Sequence, residues 1–294
     1  MNNQRTITLI QPNNRDSEPP LANRYMLSQL SIPVLSKNIL QEKIFRLTLS
    51  SAYISQRAKP GNFVHIRVGS TGNPLLRRPF SIHSVDISKS RFDILFRVVG
   101  KGTELLSQAN PGEVLDILGP IGNSFILPPK SKEVMLVAGG MGIAPLWFLF
   151  THMLAKGFDP SRITFLFGAK NKRELLYLEK FKKSKVKLLV TTDDGSLGSK
   201  GLVTEAFLKD IIGGNRDHQN LAVYSCGPEM MLARMSDLAK EYGFSCQVSL
   251  ETNMACGVGA CWGCVVKLSD GTYQRVCADG PVFDAQKINF SKIA

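Results

Sequence analysis

Val134-Met135-Leu136-Val137-Ala138-Gly139-Gly140-Met141-Gly142-Ile143-Ala144-Pro145 decides the fold. The apolar start reads as a buried strand, the glycines as a tight loop, and Ala144 to Ala155 as a helix. The same rhythm continues downstream. Strands are predicted at Ile163–Phe167, Val186–Thr191, Leu221–Ser225 and Gln247–Leu250, and helices at Glu174–Lys183, Val203–Ile212 and Glu229–Tyr242. Such alternation implies parallel β-α-β units with helices on both faces, and ligands then bind beyond the carboxyl ends of the strands. Gly139, Gly140 and Gly142 let the backbone approach a pyrophosphate at a helix N-terminus. The run is not a strict G-x-G-x-x-G, so a tight packing turn is the other reading. Cys226-Gly227-Pro228 falls at the end of a later strand. Cys226 either borders a nicotinamide ring or is one more buried cysteine.

Upstream, from Leu27 to Leu127, the pattern is short and β-like. Val64, Ile66 and Val68 alternate with His65 and Arg67, as in a half-buried strand. Ile44–Leu49, Phe92–Val98 and Val114–Leu118 are similar runs, separated by Pro60-Gly61, Gly72-Asn73-Pro74 and Pro111-Gly112. A small antiparallel barrel follows. Arg77-Arg78-Pro79-Phe80-Ser81 sets cations, a rigid turn, an aromatic and a hydroxyl in one run. An arginine fork can bind phosphate, a Phe can pack on a planar ring, and a Ser can bond a ring nitrogen. Leu95-Phe96-Arg97 precedes Gly100-Lys101-Gly102-Thr103, which opens a short helix and offers a second anion site. Leu127-Pro128-Pro129 marks a boundary, giving a barrel domain over 25–128 and an α/β domain over 129–250, behind a polar tail over 1–24 expected to be disordered.

Residues 251–294 differ again, being dense in glycine and cysteine. Cys256-x4-Cys261-x2-Cys264-x12-Cys277 carries the plant-type spacing of a 2Fe-2S cluster in its first three members. Gly257, Gly259 and Gly263 permit the unusual backbone angles of a loop wrapped around a cluster. Val265–Leu268 and Tyr273–Val276 around Ser269-Asp270-Gly271-Thr272 read as a hairpin that returns Cys277 to Cys264. A four-cysteine zinc site is the alternative. Trp262 either shields the cluster or simply packs, and Cys226 and Cys246 fall in predicted strands.

The whole chain has 294 residues, 44 % apolar and 20 % charged, with a formal net charge of +12. These values describe a globular protein of two or three domains. The six cysteines are too few for a disulfide framework, which points to a reducing compartment. No apolar stretch reaches the ~18 residues of a membrane span, and the first residues lack a secretory core, so the expectation is a cytoplasmic protein. The positive charge alone would admit a nucleic-acid partner, but Lys180, Lys182, Lys183, Lys185 and Lys187 read better as a solvated surface. A cluster with four thiolates and a dinucleotide diphosphate would offset about four of those charges. Neither nucleic acid nor membrane is expected as a partner. His65, His83, His152 and His218 are scattered and receive no catalytic role.

Taken in order, Arg-Pro-Phe-Ser (78–81), Gly-Lys-Gly-Thr (100–103), Gly-Pro-Ile-Gly-Asn (119–123), Ala-Gly-Gly-Met-Gly-Ile-Ala-Pro (138–145), Cys-Gly-Pro (226–228) and Val-Cys-Ala-Asp-Gly-Pro-Val-Phe (276–283) resemble the ferredoxin–NADP reductase superfamily. Within it, the chain is similar to the family of electron-transfer subunits of bacterial NAD-dependent dihydroorotate dehydrogenases. The resemblance runs from about Ser31 to Asp284. It implies a multi-domain β plus α/β protein: an antiparallel FAD-binding barrel, a parallel-sheet NAD-binding domain and a small 2Fe-2S module. It implies that Arg78, Pro79, Phe80, Ser81, Leu95, Phe96 and Arg97 touch FAD, and that Gly102 and Thr103 hold its pyrophosphate. It implies NAD at the glycine loop and at Cys226, Gly227 and Pro228, with Cys256, Cys261, Cys264 and Cys277 as cluster ligands.

Phe80 stands where the superfamily often has Tyr. The implied activity is electron transfer in pyrimidine biosynthesis, from an FMN-containing dihydroorotate dehydrogenase catalytic subunit through the cluster and FAD to NAD. No side chain need act as a general acid or base. Transhydrogenase and sulfhydrogenase subunits share the layout, but the former resemble a version with Asp at the first ligand, where this chain has Cys256. A reductase for an oxygenase and a zinc-bearing interaction module are the competing classes. Lys170, Lys172 and Arg173 beside Glu174 leave NADP open against NAD.

Overall fold

The structure is a computed structural model that describes residues 5–6, 28–69, 73–213 and 217–290. The expected tail lies outside these residues except for Arg5–Thr6, and so do Gly72 of the predicted turn and the final 291–294. Among the described residues no helix is long and apolar enough to cross a membrane.

The amino-terminal half holds β1 (Arg5–Thr6), β2 (Ser28–Gln41), β3 (Ile44–Ser50), β4 (Phe63–Ile66), β5 (Arg78–Asp86), β6 (Arg91–Arg97) and β7 (Val114–Ile121). Antiparallel pairing in the order β2-β3-β6-β5-β4-β7, with β7 returning to β2, closes a six-stranded barrel; β1 pairs outside it with Ser28–Gln29. Closure removes the exposed edges that an open sheet of this size would carry. Alternate residues point inward, so Ile32, Val34, Leu47, Leu49, Val64, Ile66, Ile82 and Ile94 fill the interior. Two helices pack on the barrel: α1 (Ala52–Arg57), capped by Ser51 Oγ accepting from the Ile54 N–H at 3.2 Å, and α2 (Lys101–Gln108). One expectation fails instructively. His65 is not half-exposed; all of β4 is buried, because the carboxy-terminal loop at Gly257 covers the outer face.

The second sheet has the order β11-β10-β9-β8-β12-β13-β16, built from β8 (Glu133–Gly139), β9 (Ile163–Ala169), β10 (Lys187–Thr192), β11 (Ser199–Lys200), β12 (Leu221–Cys226), β13 (Ser245–Ser249) and β16 (Val282–Asp284). Helices α3 (Ile143–Ala155), α4 (Leu178–Ser184), α5 (Val203–Gly213) and α6 (Glu229–Tyr242) cover its faces. Every residue of β9 is buried, as a strand covered on both sides requires. All pairings are parallel except the last, in which β16 runs antiparallel to β13 with Val248 opposite Phe283. The carboxy-terminal segment thus supplies an edge strand to the α/β sheet. Its hairpin, β14 (Val265–Lys267) and β15 (Tyr273–Arg275), shares one core with that sheet, α5 and α6. Helix α4 begins four residues later than the sequence pattern predicts, because residues 172–174 form a separate 3-10 turn.

The barrel and the α/β sheet are joined through His83 on β5. Its Nδ1 lies 3.0 Å from the Ala144 carbonyl and its Nε2 lies 2.8 Å from the Tyr177 hydroxyl. A carbonyl only accepts, so Nδ1 carries the proton and Tyr177 donates to Nε2. Burial pushes the His83 pKa down to about 4. The unfolded chain would take up a proton near pH 6.5 that the folded chain refuses until about pH 4, so stability falls as pH drops through that window. At ~1.4 kcal/mol per unit, this one group accounts for a loss of roughly 3 kcal/mol. Urea unfolding at pH 7.5 and pH 4.5 checks it. The difference shrinks in His83→Gln, and an unchanged difference refutes the assignment.

Candidate functional site

The cysteine loop is shaped by glycines and by its own N–H groups. Gly257 and Gly259 have φ of +69° and +78°, in the left-handed region. The loop then turns its amides onto sulfur. Val258 and Cys261 N–H groups donate to Cys256 Sγ at 3.4 Å, Gly259 to Cys277 Sγ at 3.1 Å, Gly263 to Cys261 Sγ at 3.4 Å, and Cys277 to Cys264 Sγ at 3.4 Å. Cys256 interacts with Cys261, and Cys277 interacts with Cys264 and with Cys256. Among the described residues, no three His, Cys, Asp or Glu side chains close on a single-ion position. Burial, opposed and outweighed by the Val258 and Cys261 N–H groups, leaves the Cys256 thiol at about 7. Burial, reinforced by the adjacent Cys264, pushes Cys277 up to about 12. The arrangement has an acidic thiol at its rim and a thiol at its floor that ionises only when a cation compensates it.

Arg275 organises this loop, and the sequence reading missed it. Its guanidinium bonds both Asp279 carboxylate oxygens at 2.9 and 3.1 Å, donates to the Gly259 carbonyl at 3.0 Å, and lies 4.9 Å from the Trp262 ring centroid. The signal that could have found it is Asp279 within the Ala-Asp-Gly-Pro run. A second staple explains a motif left without a task. Asn123, at the end of Gly-Pro-Ile-Gly-Asn, donates to the Asp279 and Val282 carbonyls at 3.0 and 2.8 Å and accepts from the Val282 N–H at 2.9 Å. Barrel and cysteine module are thereby bolted through two sequence motifs 156 or more residues apart.

On the barrel, period-two geometry sorts the candidates. Phe80 and Phe96 point into the barrel core, 7 % and 3 % exposed, with ring centroids 5.4 Å apart in an edge contact. Their rings are used by each other; Pro79 and Ser81, partly exposed, remain beside them on β5. Leu95 is buried against the α/β half. Arg77 is bound to Asp116, at 2.6 Å to the carboxylate and 2.8 Å to the carbonyl. Arg78 bonds only the Leu76 and Arg77 carbonyls among the described residues. It leans over the start of α2, where a Cβ on Gly102 would lie 2.9 Å from its Nε. The Thr103 hydroxyl is spent on the loop, accepting from Val99 and Gly100 N–H groups at 2.9 and 3.2 Å. The first-turn N–H groups of α2 have no helical acceptor of their own. Arg97 turns away from this cradle and forms a two-pronged pair with Glu174 at 2.9 and 2.8 Å.

The two predicted nucleotide loops meet at the carboxyl ends of neighbouring strands β8 and β12, where Ala138 pairs with Cys226. A Cβ on Gly142 would collide with the Cys226 carbonyl, and one on Gly227 would lie 3.0 Å from Gly139 Cα. A Cβ on Gly139 would meet Pro228 Cδ at 2.8 Å. These three glycines serve loop-to-loop packing. Gly140, with φ +52° and nothing near it, faces open space. Cys226 is 1 % exposed, and burial raises its thiol pKa far above the ordinary value, so it is an uncharged packing group. Beside these loops, a cleft of about 330 Å³ is lined by Asn171, Lys172, Arg173, Asp194 and Ser196.

Three families match the chain in order: the oxidoreductase FAD-binding domain over residues 31–126, the oxidoreductase NAD-binding domain over 136–237, and the iron-sulfur cluster binding domain of dihydroorotate dehydrogenase B over 251–289. The electron transfer subunit of dihydroorotate dehydrogenase B (NAD(+)) from Desulforamulus reducens is 39 % identical over 259 residues, covering 87 % of this chain and 96 % of that protein. The corresponding subunit from Bacillus caldolyticus is 36 % identical over 267 residues, covering 90 % and 99 %. The solved structure of an NADH-dependent reduced ferredoxin-NADP oxidoreductase superposes with a TM-score of 0.77 at 32 % identity, covering 89 % of this chain and 90 % of that one. The ferredoxin reductase of carbazole 1,9a-dioxygenase shares the fold at a TM-score of 0.64 and 16 % identity, over 76 % of this chain and 68 % of its own. With FAD-binding, NAD-binding and iron–sulfur-binding domains in one oxidoreductase of ferredoxin reductase fold, this chain belongs to the family of electron-transfer subunits of NAD-dependent dihydroorotate dehydrogenase B.

Proposed function

We propose that this chain links an FMN-containing dihydroorotate dehydrogenase catalytic subunit to NAD, in pyrimidine biosynthesis in the cytoplasm. The observation that carries the reading is the set of four neighbouring cysteines, each sulfur met by a backbone N–H group, on a loop bolted to both the barrel and the α/β sheet. Cys256, Cys261, Cys264 and Cys277 would hold a 2Fe-2S cluster. The Cys256-x4-Cys261-x2-Cys264 spacing is the plant-type cluster spacing and favours iron over a lone zinc. The N–H groups stabilise negative charge on sulfur and so favour the reduced form. Arg78 and the first turn of α2 would hold the FAD diphosphate, with Pro79, Ser81 and the strand backbone beside the ring system. Gly140 and the start of α3 would face the NAD pyrophosphate, and the cleft at Asn171–Arg173 its adenosine end. The bound groups supply the redox chemistry, one electron at a time at the cluster and a hydride at the nicotinamide. The residues' own tasks are to bind, orient and exclude water.

The catalytic subunit docks, in this reading, around Cys261. Trp262, Val265 and Tyr273 are 54 %, 38 % and 55 % exposed on the cysteine loop and its hairpin, and Arg275 stacks beneath Trp262. Aromatic and arginine side chains of this kind are enriched at interface hot spots. The experiment is dihydroorotate-dependent NAD reduction by the flavin- and iron-loaded chain with its catalytic subunit. Trp262→Ala with Tyr273→Ala is expected to lower the coupled rate about tenfold or more at limiting subunit, an effect of the usual hot-spot size. Zinc in place of iron, or full activity toward an oxygenase without any FMN subunit, overturns the reading.

A further inference from the structure

His65 is a buried group that the function above leaves without a task. It sits on β4, 0 % exposed, and neither ring nitrogen has a hydrogen-bond partner among the described residues. Its strand neighbours are Pro79 on β5 and Leu118 on β7, with Val64 opposite Phe80 and Ile66 opposite Arg78. The ring therefore lies beside Pro79 of the Arg77–Ser81 run, on the same face of the sheet. On its other side is the cysteine loop, where a Cβ on Gly257 would collide with His65 Nδ1. The backbone groups of Arg77 and Cys256 lie near enough to act on the imidazole, yet neither makes a hydrogen bond to it. Buried polar side chains with no partner are rare, and each costs about 1–3 kcal/mol. A leucine or phenylalanine would fill the same space without that cost. An imidazole kept here implies a partner that becomes aligned when the loop is loaded.

We propose that His65 is a positioning residue that ties the Arg77–Ser81 strand to the first cluster ligand, with Nδ1–H donating to the Cys256 backbone once the four cysteines hold their cluster. A neutral imidazole has one N–H, so it serves one of the two backbone groups. Nδ1 is the nitrogen against the loop, and Gly257 is the residue that lets it approach. The contact fixes how Cys256 sits against the barrel, and with it the alignment of the cluster with the flavin strand. This inference rests on the cluster reading, and the test separates the two.

The iron- and flavin-loaded full chain is compared with His65→Phe, which keeps the shape and removes both nitrogens, and with His65→Gln, which restores an N–H. The readouts are the electron paramagnetic resonance spectrum of the dithionite-reduced cluster and the rate of iron release to a chelator. In His65→Phe the line positions are expected to shift and iron release to accelerate by up to about tenfold, the loss of one hydrogen bond. His65→Gln returns both toward the parent values. A parent chain that takes up no cluster refutes the proposed function. A parent chain that loads normally, with His65→Phe matching it in both readouts, refutes only the role of His65. If His65→Phe does not fold, His65→Leu replaces it, and equal behaviour of Leu and Gln overturns the proposal. Failure of every variant to fold also overturns it, because the ring is then a packing element.

Discussion

Cys256→Ser is expected to strip the iron from the protein, from about two atoms per chain to near zero, and to reduce dihydroorotate-linked NAD reduction to background. The effect should stop there. Cys256 is half-exposed at the rim of the loop, and its nearest backbone donors are those of Val258 and Cys261 within the same loop. A serine hydroxyl can accept those N–H groups, so the loop keeps its bonds while losing a thiolate. The chain should still bind FAD, and NADH should still reduce it at a rate of the parent's order. Cys277→Ser should behave differently. Cys277 is 1 % exposed and packs in the core formed with Val276, Val266, Leu268 and Phe283. A hydroxyl there is buried beside apolar groups, at a cost of about 1–3 kcal/mol on the protein mutational scale. Iron loss should then come with a lower unfolding midpoint. Iron content, flavin spectrum and thermal melts on the two variants distinguish these outcomes. Loss of flavin together with iron in Cys256→Ser would place the fault in folding and sink the division of labour.

The chemistry of this chain was legible because it sits in short, contiguous runs. The cysteine spacing needs no tertiary information, and the mainly apolar runs of β8, β9 and β12 announce a sheet covered on both faces. What stayed hidden depends on what lies across the fold. Period-two alternation around His65 assigns two faces to β4, but it cannot say that a loop 192 positions on, at Gly257, covers the outer one. The same alternation did not tell which side of β5 holds Phe80, and the packing with Phe96 decides it. Arg97 read as a flavin contact, and Glu174 as the acid in a run that left NAD and NADP open. The two meet 77 residues apart and satisfy each other. Asn123 and Asp279 belonged to motifs with no evident chemistry, and their task is to hold modules together. Polar residues in motifs thus divide into those that face a ligand and those that close a joint, and only the fold separates them.

The glycine loop makes the second large effect specific. Gly142 has φ of −58°, a backbone angle any residue adopts, so its requirement is space and not conformation. Its missing Cβ would overlap the Cys226 carbonyl oxygen, with the Gly227 nitrogen 2.8 Å away. Both obstacles are main chain at the end of β12, which cannot rotate aside as a side chain can. Gly142→Ala must therefore part the loops that follow β8 and β12. Overpacking of this kind costs about 1–3 kcal/mol, and more where backbone must move. The start of α3 moves with it, so KM for NADH is expected to rise about tenfold or more. Gly140 supplies the contrast. Its φ of +52° is left-handed, but a Cβ there meets nothing within 4 Å, so Gly140→Ala costs only the local strain of about 1 kcal/mol. Urea unfolding and steady-state NADH-driven flavin reduction on both variants test the argument. Gly142 is needed for the joint between the loops and Gly140 for the surface they present, so the two substitutions must rank in that order for stability. A Gly142→Ala protein as stable as Gly140→Ala, with KM unchanged, would mean that the two loops do not touch as described.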